Sequence, residues 1–179
     1  MASTTMPRLN SGVWLSRKQR QVRSSGATTS RVALLTRDDV AVPASTSLGQ
    51  ANEIVVTLER GAAPIPEWVL PTAEAFAELL DLQWGWNSYS ARPIDPQAVE
   101  AAGSLLGAVM EQATPPPAVV PTVHGGVQLE WHRNGLDIEI AINPNRPVMV
   151  FASDNRNGEE WEAEWSPGDP SLSSWIHRI

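Results

Sequence analysis

The sequence predicts an α+β fold in which two helices pack on an antiparallel β-meander of four to five strands, preceded by an extended N-terminal arm. Three patterns carry this prediction. Residues 126–142 alternate apolar and polar residues on both sides of Asn134-Gly135, which predicts a β-hairpin. Two segments before this hairpin have apolar residues at helical spacing, and residues 159–165 after it alternate again.

The N-terminal part differs from the rest of the chain in charge. Residues 1–37 hold seven Lys or Arg and no acid, whereas residues 38–179 hold six basic and 20 acidic residues, so the formal charges are +7 and −14. The first part is rich in Ser, Thr and Arg and lacks apolar periodicity. We therefore expect residues 1–52 to be a basic arm and linker, disordered when free, and residues 53–179 to form a single α+β domain.

Several roles for the arm stay open. Its charge suits nucleic acid, an acidic surface of a partner, or the acidic domain of the chain itself. It could equally be a solvated tail, the product of a start codon placed too far upstream, or an organelle transit peptide. A secretory signal does not fit, because no apolar segment follows Lys18.

Two helices are predicted after a short strand at residues 54–58. Thr72 is the expected N-cap of the first, which runs to about Leu82. Asp95 is the expected N-cap of the second, with Pro96 at the favoured first position and an end at about Gln112.

The loop between the helices is rich in aromatic residues. Trp84, Trp86 and Tyr89 lie within six residues, beside Asn87 and Arg92. Aromatic and arginine side chains are typical binding anchors, so the loop is a candidate contact surface. The alternative is that Trp84 and Trp86 pack in the helix–sheet core while Asn87 ties the loop backbone.

The hairpin specifies its own register. A two-residue loop at Asn134-Gly135 pairs Trp131 with Ile138, Glu130 with Glu139, and His132 with Asp137. The predicted buried face carries Val127, Leu129, Trp131, Ile138, Ile140 and Ile142, and the predicted exposed face carries Gln128, Glu130, His132, Asp137 and Glu139. Since Glu130 faces Glu139, the two carboxylates either splay into water or are bridged by a cation, an Arg or a Lys.

The remaining segments complete the meander. Residues 118–123 are predicted as a strand before the hairpin, and residues 148–152 as a strand that is apolar on both faces and therefore central or covered by a helix. Residues 159–165 place Trp161, Ala163 and Trp165 inward and Glu160, Glu162 and Glu164 outward. Residues 171–179 are expected to form a short helix carrying Trp175 and Ile176.

The sequence gives little support to an enzymatic role. It has no G-x-S-x-G, no phosphate loop and no G-x-G-x-x-G, and no nucleophile stands beside a recognisable base. Glu130, His132, Asp137 and Glu139 could together hold a divalent metal, but a surface His–Asp pair is the commoner arrangement. We expect a protein that is not an enzyme and needs no cofactor, with a metal-dependent hydrolase as the alternative.

Composition also bears on location. The chain has no Cys, so it has neither disulfides nor thiolate metal sites. No apolar run reaches 18 residues, so we expect no membrane span and a cytoplasmic location.

Two stretches resemble a family of small bacterial proteins of unknown function. They are Trp86-Asn-Ser-Tyr-Ser-Ala-Arg-Pro-Ile94 and Pro121-Thr-Val-His-Gly-Gly-Val-Gln-Leu-Glu-Trp131. The family pattern is W-D-G-Y-x-A-x-P-I, then a Gly-Gly or Asp-Gly step into x-L-E-W. The resemblance covers about residues 72–179 and excludes the arm. Because Asn87-Ser88 replaces the commoner Asp-Gly, no role for that acid carries over. The resemblance implies an antitoxin-like or immunity-like protein and supplies no catalytic residues.

Together these patterns predict a binding module whose acidic sheet face contacts a basic protein partner. Nucleic acid is expected to bind only through residues 1–37. The predicted partner-binding residues are Glu130, His132, Asp137, Glu139, Glu160, Glu162, Glu164, Trp84, Trp86, Tyr89 and Arg92. The alternative is a structural or assembly protein whose arm threads into neighbouring subunits.

Overall fold

The computed structural model describes residues 64–179 in full and, before them, the backbone of three strands. These strands are β1 (Val13–Gln21), β2 (Arg31–Thr36) and β3 (Gln50–Leu58), in the order β1-β3-β2. Strand β1 is antiparallel to β3, and β2 is parallel to it. The strand predicted at residues 54–58 lies within β3. Strands β1 and β2 fall in the arm predicted at residues 1–52, most of which lies outside the described residues, so the disorder of the free arm stays a prediction.

Helix α1 (Val69–Leu80) begins before the predicted N-cap, so that prediction was wrong. Thr72 lies inside the helix, where its buried hydroxyl has no hydrogen-bond partner. The helix start is held instead by Trp68, whose indole N–H donates to the carbonyl of Glu111 at 3.1 Å. Pro71 sits in the first turn, where its missing N–H costs no helical hydrogen bond. Pro71 is therefore part of the helix.

Helix α2 (Pro96–Val109) begins as predicted. The Asp95 carboxylate accepts a hydrogen bond from the Gln97 N–H at 2.9 Å, and Pro96 occupies the first helical position. The helix ends slightly before the predicted residue because the backbone of Met110 is extended. The N–H of Glu111 then donates to the Thr114 hydroxyl, in a turn that leads into the proline run.

Five strands form the predicted antiparallel meander, and a third helix follows them. The strands are β4 (Ala118–Pro121), β5 (Val127–Arg133), β6 (Leu136–Ile142), β7 (Val148–Asp154) and β8 (Glu159–Trp165), in the spatial order β4-β5-β6-β7-β8. The hairpin register is confirmed pair by pair: Trp131 lies opposite Ile138, Glu130 opposite Glu139, and His132 opposite Asp137. The fold is α+β, as predicted.

The core lies between the helices and one face of this sheet. All six residues of the predicted buried face of the hairpin are buried, and they pack with Phe76 of α1 and Leu106 of α2 in one apolar cluster. Gly126 immediately precedes β5 and lies close to the end of β6. A Cβ there would lie 2.4 Å from the carbonyl oxygen of Ile142, so only glycine fits.

Strand β7 lies between β6 and β8, as the apolar pattern predicted, but its second face is open. Val150 and Ala152 are buried in the core, whereas Met149 and Phe151 are 38% and 37% exposed. The helices pack on the opposite side of the sheet. Apolar residues on both faces therefore mark a central strand here, without a helix over its outer face.

The C-terminal helix α3 (Pro170–Ile176) is fixed by an ion-pair cluster at the end of β7. The buried carboxylate of Asp154 accepts hydrogen bonds from Arg156 at 2.8 Å and from Arg178. The Arg178 guanidinium also lies 4.1 Å from the ring centre of Trp175. Hydrogen bonds from Arg156 hold the pKa of Asp154 well below its ordinary range. No helix among the described residues is both long and apolar enough to cross a membrane.

Candidate functional site

The solvent-facing side of the five-stranded sheet, here called the acidic face, collects the predicted charged residues. Alternation along β5, β6, β7 and β8 brings side chains from all four strands to this side. Its members on these four strands are Gln128, Glu130, His132, Asp137, Glu139, Ala141, Met149, Phe151, Ser153, Glu160, Glu162 and Glu164, and β4 adds Ala118 and Val120. Six of them are carboxylates, so the sheet presents negative charge over most of its width.

At the centre of the acidic face, Glu130 and Glu139 face each other across β5 and β6. The Gln128 amide donates one hydrogen bond to Glu130 Oε1 at 2.8 Å and a second to Glu139 Oε2 at 3.2 Å. A neutral amide therefore bridges the two carboxylates, where the sequence left a choice between water and a cation. The bridge orients both side chains, and the amide itself brings no positive charge to them.

His132 and Asp137 form a surface pair at one end of the face. His132 Nδ1 lies 2.8 Å from Asp137 Oδ1, and Nε2 lies 3.4 Å from Glu130 Oε2. The Asn155 amide donates to the other Asp137 oxygen at 2.7 Å. The hydrogen bond with Asp137 raises the pKa of His132, and Glu130 acts in the same direction. The same hydrogen bond, with that from Asn155, lowers the pKa of Asp137. This geometry favours the imidazolium, which supplies a single positive charge among carboxylates.

This cluster does not have the geometry of a metal site. Both nitrogens of His132 are turned toward carboxylate oxygens, and one Asp137 oxygen is engaged by Asn155. Within residues 64–179 and the three N-terminal strands, no group of three or more His, Asp or Glu is placed to hold a metal ion.

An apolar stripe crosses the acidic face along β7. It consists of Met149 and Phe151, each more than a third exposed. Phe151 lies between Glu139 on β6 and Glu162 on β8, and Met149 between Ala141 and Glu164. The stripe is thus flanked by carboxylates on the neighbouring strands.

Among residues 64–179, positively charged side chains are scarce on the acidic face. Residues 64–179 contain five Arg and no Lys, against 16 Asp or Glu. None of these arginines occupies a strand position of the acidic face. Arg133 lies in β5 at a position that faces the opposite side of the sheet, and the other four lie outside the strands: Arg92, Arg146, Arg156 and Arg178. Apart from the pairing of His132 with Asp137 and Glu130, no basic residue of positions 64–179 at a strand position of the face neutralises its carboxylates.

The aromatic loop (residues 84–92) presents two of its aromatic side chains to solvent. Trp84 is 66% exposed and Tyr89 is 84% exposed, so the interpretation that placed Trp84 in the core was wrong. Trp86 is half-buried, and its indole N–H donates to the Arg92 carbonyl at 3.0 Å. Arg92 is exposed.

The backbone of this loop is tied as predicted. The Asn87 side-chain oxygen accepts hydrogen bonds from the N–H groups of Tyr89 at 3.0 Å and Ala91 at 3.3 Å. Ser88 and Gly85 both have positive φ, which compresses the loop into a tight double turn. The loop is joined to the turn between β4 and β5 by the Arg92 N–H, which donates to the Val123 carbonyl. A fixed loop with exposed aromatics can serve as a second contact surface, which stays a prediction.

Some residues that shape the face escaped the sequence interpretation. The sequence interpretation places Gln128 on the exposed side without a role and does not single out Asn155. Phe151 and Met149 were predicted to be covered or central. The register alone shows that Met149 and Phe151 lie on the same side of the sheet as the charged residues. It does not show that this side of β7 is exposed to solvent.

The chain matches no protein-family model, no curated protein and no solved structure in the comparisons with known proteins. The resemblance seen in residues 72–179 therefore stays a prediction, and the argument for function rests on the geometry of the acidic face and the loop.

Proposed function

We propose that this protein is a non-enzymatic binding module that captures a basic protein partner on its acidic face, in the manner of an antitoxin or immunity protein. The observation that carries the proposal is the arrangement of carboxylates around the Gln128 bridge. Glu130 and Glu139 are held facing the same side by one amide, and no arginine of residues 64–179 occupies a strand position of the face.

Complementary charge explains why the partner is basic. A surface with one sign of charge attracts the opposite sign and accelerates encounter, and like charges penalise wrong partners. The same charge repels a phosphate backbone, so the acidic face suits a protein more than a nucleic acid. The exposed Met149 and Phe151 add apolar area to the centre of this surface.

The geometry of the face supports binding more than catalysis. Its histidine lies between two carboxylates, an arrangement that favours the charged imidazolium over a free base. Its hydroxyl group, Ser153, lies opposite Asp137 and Glu160, and neither histidine nitrogen is bonded to it.

Charge reversal tests the proposal. The full chain with Glu130, Glu139 and Glu162 changed to Lys is used as bait in affinity capture from cells of the native source, beside the unchanged chain. We expect the unchanged chain to capture a protein of high isoelectric point and the triple variant to lose it. The matched control reverses Glu67, Glu74 and Glu78, three exposed acids at or beside α1, for the same change in net charge.

Circular dichroism and thermal unfolding establish that both variants remain folded. If the triple variant captures the same protein as the unchanged chain, or if the control loses it equally, the acidic face is not the binding surface.

A further inference from the structure

The acidic face has a feature that charge alone does not explain, namely the apolar stripe of Met149 and Phe151. We propose that the stripe and its flanking carboxylates form a docking track for a basic amphipathic helix of the partner. This inference rests on the proposed function and specifies the chemistry and shape of the partner.

The width of the track fits a helix. Phe151 lies directly between Glu139 and Glu162 on the two neighbouring strands. With strands about 4.8 Å apart, these two carboxylate-bearing positions lie about 10 Å apart. An α-helix with its side chains is about 10 to 12 Å across. Its apolar row can therefore rest on the stripe while Lys or Arg side chains on both flanks reach the carboxylates.

The position of the stripe argues against an extended peptide. Strand β7 is paired on both sides, by β6 and β8, so a peptide on this face cannot join the sheet by backbone hydrogen bonds. An extended peptide lying flat there would leave its own N–H and C=O groups without partners as it loses water. A helix satisfies those groups internally and can lose water on one side at little cost.

Charge complementarity defines the sequence of the partner helix. Apolar residues at positions i, i+3 or i+4, and i+7 form the row that meets Met149 and Phe151. Basic residues beside that row meet Glu139 on one flank and Glu162 and Glu164 on the other. Ala141, half-buried beside Met149, leaves room for a large apolar residue at that end.

Three synthetic peptides of identical composition, built from Leu, Lys and Ala, test the proposal against the full chain. One places Leu at helical spacing with Lys on both flanks, the second alternates Leu and Lys with period two, and the third is scrambled. Binding is measured by fluorescence polarisation, and helix formation by circular dichroism. We expect the helical pattern to bind on the order of tenfold more tightly than the other two and to gain helix on binding.

Variants of the chain locate the site. Phe151→Ser and Met149→Ser should each weaken the helical peptide several-fold to tenfold without changing net charge, because each removes apolar contact. Val123→Ser, which alters an exposed apolar residue in the turn between β4 and β5, is the matched control and should bind as the unchanged chain does. Replacing both Glu139 and Glu162 by Gln should weaken binding at low salt, whereas replacing both Glu74 and Glu78 should not.

The outcomes separate this inference from the proposed function. Equal binding of all three peptides, or unchanged affinity in the Phe151→Ser chain, would contradict the docking of a helix on the stripe. Either result would still be compatible with a surface that binds its partner by charge alone. A peptide of residues 8–37 that displaces the designed helix without becoming helical would overturn the helix docking in favour of the chain's own arm. Absence of binding by every peptide would also overturn it, while capture from cells decides the proposed function separately.

Discussion

The carboxylates of Glu130 and Glu139, opposite each other on β5 and β6, accept hydrogen bonds from a single amide, that of Gln128. Because the amide donates to both carboxylates and carries no charge, it makes a like-charge pair tolerable on the sheet without itself neutralising the pair. A cation in the same place would neutralise the two carboxylates. If the two side chains instead pointed apart into water, neither carboxylate would have a fixed position. The amide instead fixes two charges on the surface that we propose for the partner.

Removing the bridge should weaken the fold. In Gln128→Ala, the two carboxylates lose their common donor and repel each other, so we expect the free energy of unfolding to fall by about 1 kcal/mol. Urea denaturation at neutral pH measures this loss, which should shrink as salt is raised because salt screens the repulsion. Gln97→Ala, on the exposed side of α2, is the control.

A double-mutant cycle distinguishes the bridge from a general packing effect. In the Glu139→Gln background, the new side chain can itself donate to Glu130, so Gln128→Ala should cost less there. An equal loss in both backgrounds would show that the Gln128 amide does not relieve the Glu130–Glu139 repulsion.

The titration of His132 should depend on Asp137. The hydrogen bond with Asp137 raises the pKa of His132, so Asp137→Asn should lower that pKa toward the ordinary histidine value. Hydrogen bonding to Glu111 raises the pKa of His177, which gives a matched comparison: Glu111→Gln should move His177 and leave His132 in place. Proton NMR of the imidazole rings follows both groups in one pH series.

The sign of the effect on stability follows from the same shift. The pKa of His132 is higher in the folded chain than in the unfolded chain. The stabilisation that the His132–Asp137 pair gives is therefore complete below the pKa of the unfolded chain, and it is lost as pH rises through the pKa of the folded chain. The side chain is half-exposed, so the effect is small. A His132 pKa that is the same in Asp137→Asn and in the unchanged chain would contradict the pairing.

The Asp154 cluster should matter more to stability than any other ion pair of the described residues. Asp154→Asn removes the buried negative charge and leaves Arg156 and Arg178 a single acceptor oxygen, which weakens the anchor of α3 to β7. Glu159→Gln, which removes only the exposed partner of Arg178, should cost less than about 1 kcal/mol. Thermal unfolding compares the two variants, and an equal effect would contradict the ranking.

The pH dependence of the same cluster has the opposite sign to that of His132. The pKa of Asp154 is lowered in the folded chain, so its stabilisation is present above the unfolded pKa and is lost as pH falls through the folded pKa. We therefore expect the stability difference between the unchanged chain and Asp154→Asn to narrow in acid.

Asn87 should control the order of the aromatic loop. In Asn87→Ala, the N–H groups of Tyr89 and Ala91 lose their acceptor, so hydrogen exchange at these two amides should accelerate. Tyr89→Ala is the control, since the ring is exposed, and should change the free energy of unfolding by no more than about 0.5 kcal/mol. Unchanged exchange in Asn87→Ala would mean that the positive-φ turns alone hold the loop.

The hairpin and its neighbours were predictable because their signals are local. The Asn134-Gly135 turn and the alternation on both sides allow one register only, since a slip by one residue would bury Glu130 and Glu139. The start of α2 was likewise predictable, because its signal consists of two adjacent residues, Asp95 and Pro96.

The misplaced start of α1 has a tertiary cause. Thr72 has the side chain of an N-cap, but Trp68 begins the helix because its indole reaches Glu111 on a segment 43 residues later. A contact over that separation has no local signature. The exposure of Trp84 is a similar case, because an aromatic-rich loop looks the same in sequence whether it faces the core or the solvent.

The face itself was predictable in its members but not in its organisation. Alternation assigned Glu130, Glu139 and Glu162 to one side of the sheet. The Gln128 bridge depends on side-chain orientation across two strands, and the apolar stripe depends on which side of β7 the helices cover. Both require the assembled fold.

Carboxyl footprinting of the full chain tests the central claim most directly. The exposed Asp and Glu side chains are labelled by carbodiimide coupling, alone and in extract from the native source, and labelling is quantified residue by residue. We expect Glu130, Glu139 and Glu162 to be protected in extract, with the protection lost at high salt, while Glu74 and Glu78 label equally in both. Protection confined to other carboxylates, or equal labelling of all of them, would contradict the acidic face as the binding surface.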